Sequence, residues 1–341
     1  MTTFREHQLE QAIAGLPRVT LGVLPTPLEP LPRLSQALGG PPIYIKRDDL
    51  TGLGFGGNKT RMLELSLAHA LEQGADTIVF GAAVQSNYCR QLAAACAKLG
   101  LELHLVLRPE REIDKQEIQG NQLLQRLFGA QVTILEDRDR PQQQEALAAK
   151  VADLQAAGKR VYWPRRPDTI DLDAIAYAQT ALEIVRQCRE LSIAPASLYA
   201  AANDTTQAGL VLGLAFLESP LRVRGFNPLH HDPDTLPNLV RMANQAAQRL
   251  DLDIELTTAH FDNTDAFVGE RYGIPTPAGI EALQLMARTE GILLDPVYTS
   301  KALSALVAHI REGALPPDEP VLFLHTGGAP ALFGYAQEIL A

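Results

Sequence analysis

Short β-branched and apolar runs alternate with amphipathic stretches through most of this 341-residue chain. The first runs cover residues 77–80, 103–107, 131–135 and 160–163, and helical patterns over 87–99, 119–128 and 142–157 separate them. A second series sets strands at 197–200, 221–226 and 321–324 among helices at 172–191, 206–216 and 329–339. Parallel strands need a crossover of a dozen or more residues, usually a helix. The alternation therefore predicts an α/β fold of open, twisted parallel sheets with helices on both faces. Proline-rich breaks at 164–167 and 316–317 mark turns, and the first places a lobe boundary near Pro164.

Composition narrows the function classes. The formal net charge is −10, from 40 acidic and 30 basic residues, which gives no footing for nucleic acid or for an anionic membrane surface. The polar start, Met1 to Glu10, shows no export segment. The longest apolar run, 208–217, is too short to span a bilayer. Cys89, Cys96 and Cys188 cannot all pair within one chain, and their scatter suits free, buried thiols in a reducing cytoplasm. His230-His231-Asp232 is the one candidate metal cluster, and it has no further ligand in view, so no metal is expected.

The densest glycine cluster is Gly52-Leu53-Gly54-Phe55-Gly56-Gly57-Asn58-Lys59. Glycines allow positive φ and close approach of backbone to a ligand. Lys59 then opens an amphipathic helix carrying Leu63, Leu67, Ala70 and Leu71. A lysine at the positive end of a helix dipole has its pKa lowered, as an amine that must act as a nucleophile requires. A nucleotide-binding P-loop would put lysine directly after glycine, and Asn58 intervenes. The glycine spacing also misses the dinucleotide fingerprint. A glycine loop beside a solvated lysine is the plain alternative. Only seven lysines are present to compete for a chemical role.

Gly56-Gly57-Asn58-Lys59 together with Gln85-Ser86-Asn87 resembles the aminocyclopropane-carboxylate deaminase and D-cysteine desulfhydrase family, a branch of the tryptophan-synthase β-like (fold type II) pyridoxal-phosphate (PLP) enzymes. The likeness continues in the same order through Thr206-Gln207-Ala208-Gly209, Tyr272-Gly273-Ile274-Pro275, Leu294-Asp295-Pro296-Val297-Tyr298-Thr299 and His325-Thr326-Gly327-Gly328-Ala329-Pro330. It implies two lobes with the PLP cleft between them: a small lobe over 59–164 and a large, cofactor-binding lobe over 1–58 and 165–341, with the segment at 43–46 rejoining the later strands. It also implies a homodimer.

The resemblance assigns roles residue by residue. Lys59 would be the Schiff-base lysine and would later move the α-proton. Asn58 and Asn87 would contact the cofactor, Asn87 through its phenolic oxygen. Ser86 would act on the substrate carboxylate or at the reacting carbon, although alone it reads as a helix cap. Thr205, Thr206, Gln207, Ala208 and Gly209 would hold the phosphate at a helix N-terminus. Thr326 and Gly327 complete the cofactor set. Tyr272 and Tyr298 would line the substrate side, where a phenol of lowered pKa can act as acid or base. Thr299 would face the pyridine nitrogen, where the deaminase branch has Glu.

Three departures from the family pattern stand out. Asn203-Asp204-Thr205 replaces a glycine-rich stretch, which brings a carboxylate toward a phosphate unless Asp204 caps the helix outward. Arg165-Arg166-Pro167-Asp168-Thr169 replaces small residues, and its arginines either grip a second anionic group on the substrate or pair on the surface with Asp168 and Asp171. Tyr88 stands where the family commonly has His. The leading expectation is a PLP-dependent lyase acting on a small amino acid, D-cysteine desulfhydrase-like, releasing pyruvate and ammonia. The alternatives are aminocyclopropane ring opening, a lyase for an anionic substrate such as cysteate, and a non-catalytic PLP- or ligand-binding protein.

Overall fold

Ten strands and thirteen α-helices follow one another among the described residues, 3–230 and 232–340 of a computed structural model. The strands are β1 (Leu28–Pro30), β2 (Ile43–Arg47), β3 (Thr77–Ala83), β4 (Glu102–Arg108), β5 (Gln131–Ile134), β6 (Val161–Tyr162), β7 (Ser197–Ala201), β8 (Arg222–Phe226), β9 (Asp262–Thr264) and β10 (Val321–His325). The helices are α1 (Phe4–Ala14), α2 (Pro32–Leu38), α3 (Lys59–Glu72), α4 (Asn87–Leu99), α5 (Ile113–Gln116), α6 (Gly120–Leu127), α7 (Arg140–Ala156), α8 (Asp171–Glu190), α9 (Thr205–Phe216), α10 (Thr235–Arg249), α11 (Pro277–Glu290), α12 (Thr299–Arg311) and α13 (Ala336–Leu340).

Two sheets result. The larger has the order β1-β2-β10-β7-β8-β9, and the smaller β5-β4-β3-β6. All pairings are parallel except β1 with β2. The alternating side chains of a strand explain the layers. On β10, Leu322 and Leu324 pack into one core with α8, α9 and α10, whereas Val321 and Phe323 face a second core with α11 and α12. On β4, Leu103, Leu105 and Leu107 join α3 and α4, and Val106 meets Leu147 of α7 on the other face. Each such large aliphatic side chain contributes roughly 1.5–3 kcal/mol on full burial.

Local chemistry sets the helix starts. Ser86 accepts the Cys89 N–H and Thr276 the Gly279 N–H, each a side-chain N-cap. Helix α4 ends at Gly100 in the left-handed region. Helix α3 lends Met62 and Leu65 to one core and Leu63 and Leu67 to another. Helix α9 closes onto α8 at Gly209, where a Cβ would stand 1.9 Å from the Ala174 carbonyl oxygen. One expectation is corrected: the helix read over 329–339 is a 3-10 helix, Ala329–Gly334, followed by the short α13. Pro330 near its start and the positive φ of Gly328 before it favour a tight turn over a full helix. No helix among the described residues is long and apolar enough to cross a membrane. All three cysteines are buried and free.

Candidate active site

Ligands of open parallel sheets bind beyond the carboxyl ends of the strands. Here the segments after β2, β3, β6, β7, β8 and β10 converge on one cavity of about 210 Å³. Lys59, Ser86, Asn87, Tyr88, Arg165, Asp204, Thr206, Tyr298 and Thr326 stand on its wall.

Lys59 is the first residue of α3, and its neighbours fix where it points. The Asn58 backbone N–H donates to the Thr326 carbonyl at 3.0 Å, and its side-chain amide donates to the Thr206 hydroxyl at 3.1 Å. The glycine loop before it is pinned from below. The Gly57 N–H donates to the Thr51 hydroxyl at 2.8 Å, and buried Arg90 donates to the carbonyls of Gly54 and Gly56. Gly327, at φ +89°, passes so close that a Cβ would meet the Gly57 Cα at 2.6 Å. Burial lowers the Lys59 pKa to about 8, with the Arg165 guanidinium adding to it. The direction matches the expectation, but the causes are desolvation first and then the Arg165 guanidinium, not the helix dipole.

Ser86 and Asn87 start α4. The Ser86 Oγ accepts the Cys89 N–H at 3.2 Å, so its own proton is free to be donated elsewhere. Asn87 accepts at Oδ1 from Asn121 Nδ2 at 2.9 Å, which leaves its NH₂ as the available end. Asn121 in turn accepts from Arg90 Nε at 2.8 Å. Arg90 and Asn121 were missed in the sequence, since nothing local marks either as anything but a polar helical residue.

At the start of α9 the expected phosphate set divides. Only Thr206 brings its side chain to the cavity. The Thr205 hydroxyl turns to the Met62 sulfur, Gln207 Nε2 donates to the Asp262 carbonyl at 2.6 Å, and Ala208 and Gly209 are buried inside the helix. The Gln207 and Ala208 N–H groups already donate to the Asp204 carbonyl, at 3.0 and 3.1 Å. Asp204 caps the helix, and its carboxylate accepts the Thr205 N–H. It does not turn away from the cavity.

Arg165 holds the same carboxylate. Its guanidinium donates to Asp204 and, at 2.6 Å, to Asp173, and it lies 5.2 Å from the centre of the Tyr88 ring. Burial would raise the Asp204 pKa, but Arg165, Lys59 and the Thr205 N–H outweigh it and hold the carboxyl well below the usual carboxylate range. Burial pushes Asp173 up to about 6 against the pull of Arg165. The surface pairing expected for the two arginines is absent. Arg166 stacks on Trp163 at 4.6 Å, and Asp171 is taken by Arg249.

The two tyrosines meet. Their hydroxyls share a short hydrogen bond, and their rings pack edge to face at 5.8 Å. Tyr298 faces the cavity, while Tyr272 lies in a small adjoining recess shared with Asn87 and Tyr298. The expectation of a lowered phenol pKa is overturned. Burial pushes Tyr272 up to about 12 and Tyr298 well above its ordinary value, so both are protonated at neutral pH. Thr299 is fully buried beneath them, donating to Asp295 Oδ1 at 2.7 Å and accepting the Asp295 N–H at 2.8 Å. Its hydroxyl proton is committed to that carboxylate. Of the cluster His230-His231-Asp232, His231 lies outside the described residues, and no metal-holding group of side chains occurs among the described ones.

Comparison with known proteins gives this geometry a family. The chain is 32% identical to a solved structure titled an ACC deaminase homologue, with a TM-score of 0.87 and 98% of each chain covered. The apo form of Escherichia coli diaminopropionate ammonia lyase shares the fold, with a TM-score of 0.65 at 16% identity over 99% of this chain and 91% of that one. The D-cysteine desulfhydrase of Serratia proteamaculans (strain 568) is 43% identical over 97% of this chain and 99% of its own length. That of Salmonella typhi is 41% identical over 96% and 98%. The family model described as "Pyridoxal-phosphate dependent enzyme" matches residues 19–327. With the match spanning most of the chain and Lys59 on the cavity wall, this protein belongs to the pyridoxal-phosphate dependent enzymes.

Proposed function

We propose that this chain removes the β substituent of a small amino acid, and that D-cysteine is the substrate, giving pyruvate, ammonia and hydrogen sulfide with uptake of one water. The observation that carries this reading is the placing of the Lys59 amine, at a pKa of about 8, on a cavity of about 210 Å³ beside the protonated phenol of Tyr298. A lysine that is part neutral near pH 8 can anchor a carbonyl cofactor and then take a proton from the substrate α-carbon.

The residues present fit PLP. The donor set matches it: the Lys59 amine for the aldehyde, the free NH₂ of Asn87, the hydroxyls of Thr206 and Thr326, and the start of α9 with Arg165 for the phosphate. Tyr88 also has a buried hydroxyl without a partner on this wall. When bound, PLP supplies the electron sink for the charge left on the α-carbon. Ser86 donates its hydroxyl to the substrate carboxylate. Tyr298, polarised by Tyr272, gives a proton to the departing sulfur.

Charge favours a substrate with an uncharged side chain. Lys59 and Arg165 on the wall are balanced by Asp204 and by Asp173 behind it, and Arg165 already serves both carboxylates. That argues against cysteate. The lobe division at 58/59 and 164/165 belongs to this reading, as does a homodimer in the cytoplasm, where the three buried thiols would stay reduced.

Pyruvate release from a panel of D-cysteine, L-cysteine, cysteate and other small amino acids tests the proposal, with 2-oxobutyrate release from 1-aminocyclopropane-1-carboxylate as the ring-opening control. D-cysteine is expected to be fastest. No product from any of them with PLP bound to Lys59 would leave a binding protein instead.

A further inference from the structure

The start of α9 already holds an anion, and that anion belongs to the chain. The Asp204 carboxylate accepts the Thr205 N–H with one oxygen and Arg165 with the other. The N–H groups of Gln207 and Ala208 are bound to the Asp204 carbonyl. The first turn of the helix is thus saturated by a single residue, apart from Thr206. Helix N-termini attract anions through their free N–H groups and dipole, and a carboxylate here meets the same donors that a phosphate would.

Arg165 is set for two partners. Its backbone sits at φ +62°, a left-handed conformation costly for a non-glycine residue. Asp173 grips one end of the guanidinium at 2.6 Å and leaves the other end to Asp204. Two polar groups next to it lack partners: the Tyr88 hydroxyl, in a residue 6% exposed, and the second carboxylate oxygen of Asp173, in a residue 1% exposed. The Tyr88 ring lies against the guanidinium and lines the cavity. A buried donor without an acceptor costs about 1–3 kcal/mol. The Tyr88 hydroxyl therefore gives the wall one donor beyond those that the internal carboxylate uses, whereas the Asp173 oxygen is an acceptor.

We propose that Asp204 is a built-in competitor for the cofactor phosphate, and that loading is an exchange in which phosphate takes the Thr205 N–H and the free end of Arg165 from it. This rests on the PLP site described above. Two anions cannot share those donors in a half-buried site without strong repulsion. The exchange sets cofactor affinity below that of a cradle without an internal anion, and it keeps the cofactor-free chain capped and charge-balanced. Arg165 stays anchored to Asp173 throughout, which makes it a phosphate ligand of this chain.

The test uses the cofactor-free protein with inorganic phosphate, PLP and pyridoxal as probes. Asp204→Asn keeps a good helix cap, and Asp204→Gly provides a second variant. Both should bind inorganic phosphate and PLP at least ~10-fold more tightly than the parent, by titration calorimetry and by the shift of the melting temperature with phosphate. Pyridoxal, which lacks the phosphate, should bind Lys59 equally in parent and variants when compared at a pH above the Lys59 midpoint, because Asp204 itself raises that pKa. Arg165→Met should weaken phosphate and PLP by ~10-fold or more, while pyridoxal changes only through the raised Lys59 pKa and matches the parent once the pH is above both midpoints. Equal phosphate affinity in parent and Asp204 variants, with PLP attached to Lys59 in all, would overturn this proposal and leave the cofactor site standing. Equal tightening of PLP and pyridoxal would also overturn it, since the effect would then run through Lys59. Failure of PLP to attach to Lys59 in parent and variants alike would remove the site itself.

Discussion

Asn121 donates its amide N–H to the side-chain oxygen of Asn87 at 2.9 Å, and this contact decides which end of Asn87 is offered to the cavity. Asn121 also donates to the Gln85 carbonyl at 2.8 Å and accepts from Arg90, so one amide orients three neighbours. Asn121→Ala should lower PLP affinity about 10-fold, read by absorbance titration. It should also cost about 1–3 kcal/mol in urea unfolding, because the Arg90 Nε loses its acceptor in a buried place.

Lys59 gives a pH signature. The neutral amine is the nucleophile, and its fraction grows as pH rises through the pKa. With that pKa lowered to about 8, the rate of PLP capture should climb between pH 7 and pH 9 and level off above about pH 9. An ordinary lysine would keep rising toward its usual value near 10.4. Stopped-flow absorbance across this range separates the two. Arg165→Met removes a cation that depresses the Lys59 pKa, so the midpoint should move to higher pH.

The two phenols enter as proton donors. Tyr298→Phe removes the hydroxyl on the cavity, and kcat for D-cysteine should fall about 100-fold or more, with KM changed much less. Tyr272→Phe removes only the partner of that hydroxyl and should give a smaller loss. Steady-state kinetics on both variants checks the order.

Gly327 meets Gly57 where the segments after β10 and β2 cross. Gly327→Ala combines a left-handed φ of +89° with a Cβ placed 2.6 Å from the Gly57 Cα. It should destabilise the fold by about 2–4 kcal/mol and weaken PLP binding through displacement of the glycine loop. Thermal unfolding with and without PLP measures both.

Much of this was legible in the chain. The β-branched runs at 77–80 and 103–107 lie within β3 and β4, and the glycine cluster does lead into a helix that opens on Lys59. Apolar periodicity and glycine density are local properties, and they report on local structure. What the sequence could not show was long-range. Arg165 meets Asp204 across 39 residues, and Asn121 meets Asn87 across 34. The helix expected over 329–339 failed because Gly328 and Pro330 impose a tight turn that apolar spacing does not register. The phenol pKa values went the opposite way because burial, which depends on the folded cavity, dominates both. Helix α3 divides its buried side between two cores, a long-range property that apolar spacing does not register.

Lys301 provides the sharpest control on the central claim. Burial lowers its pKa to about 8, as for Lys59, but its amine donates to the Val268 carbonyl at 2.6 Å and lies away from the cavity. The decisive measurement is borohydride reduction of the PLP-loaded protein followed by peptide mapping. A single reduced adduct on Lys59 is the predicted result. An adduct on Lys301 or any other lysine, or none at all, would contradict the assignment of this cavity as the active site.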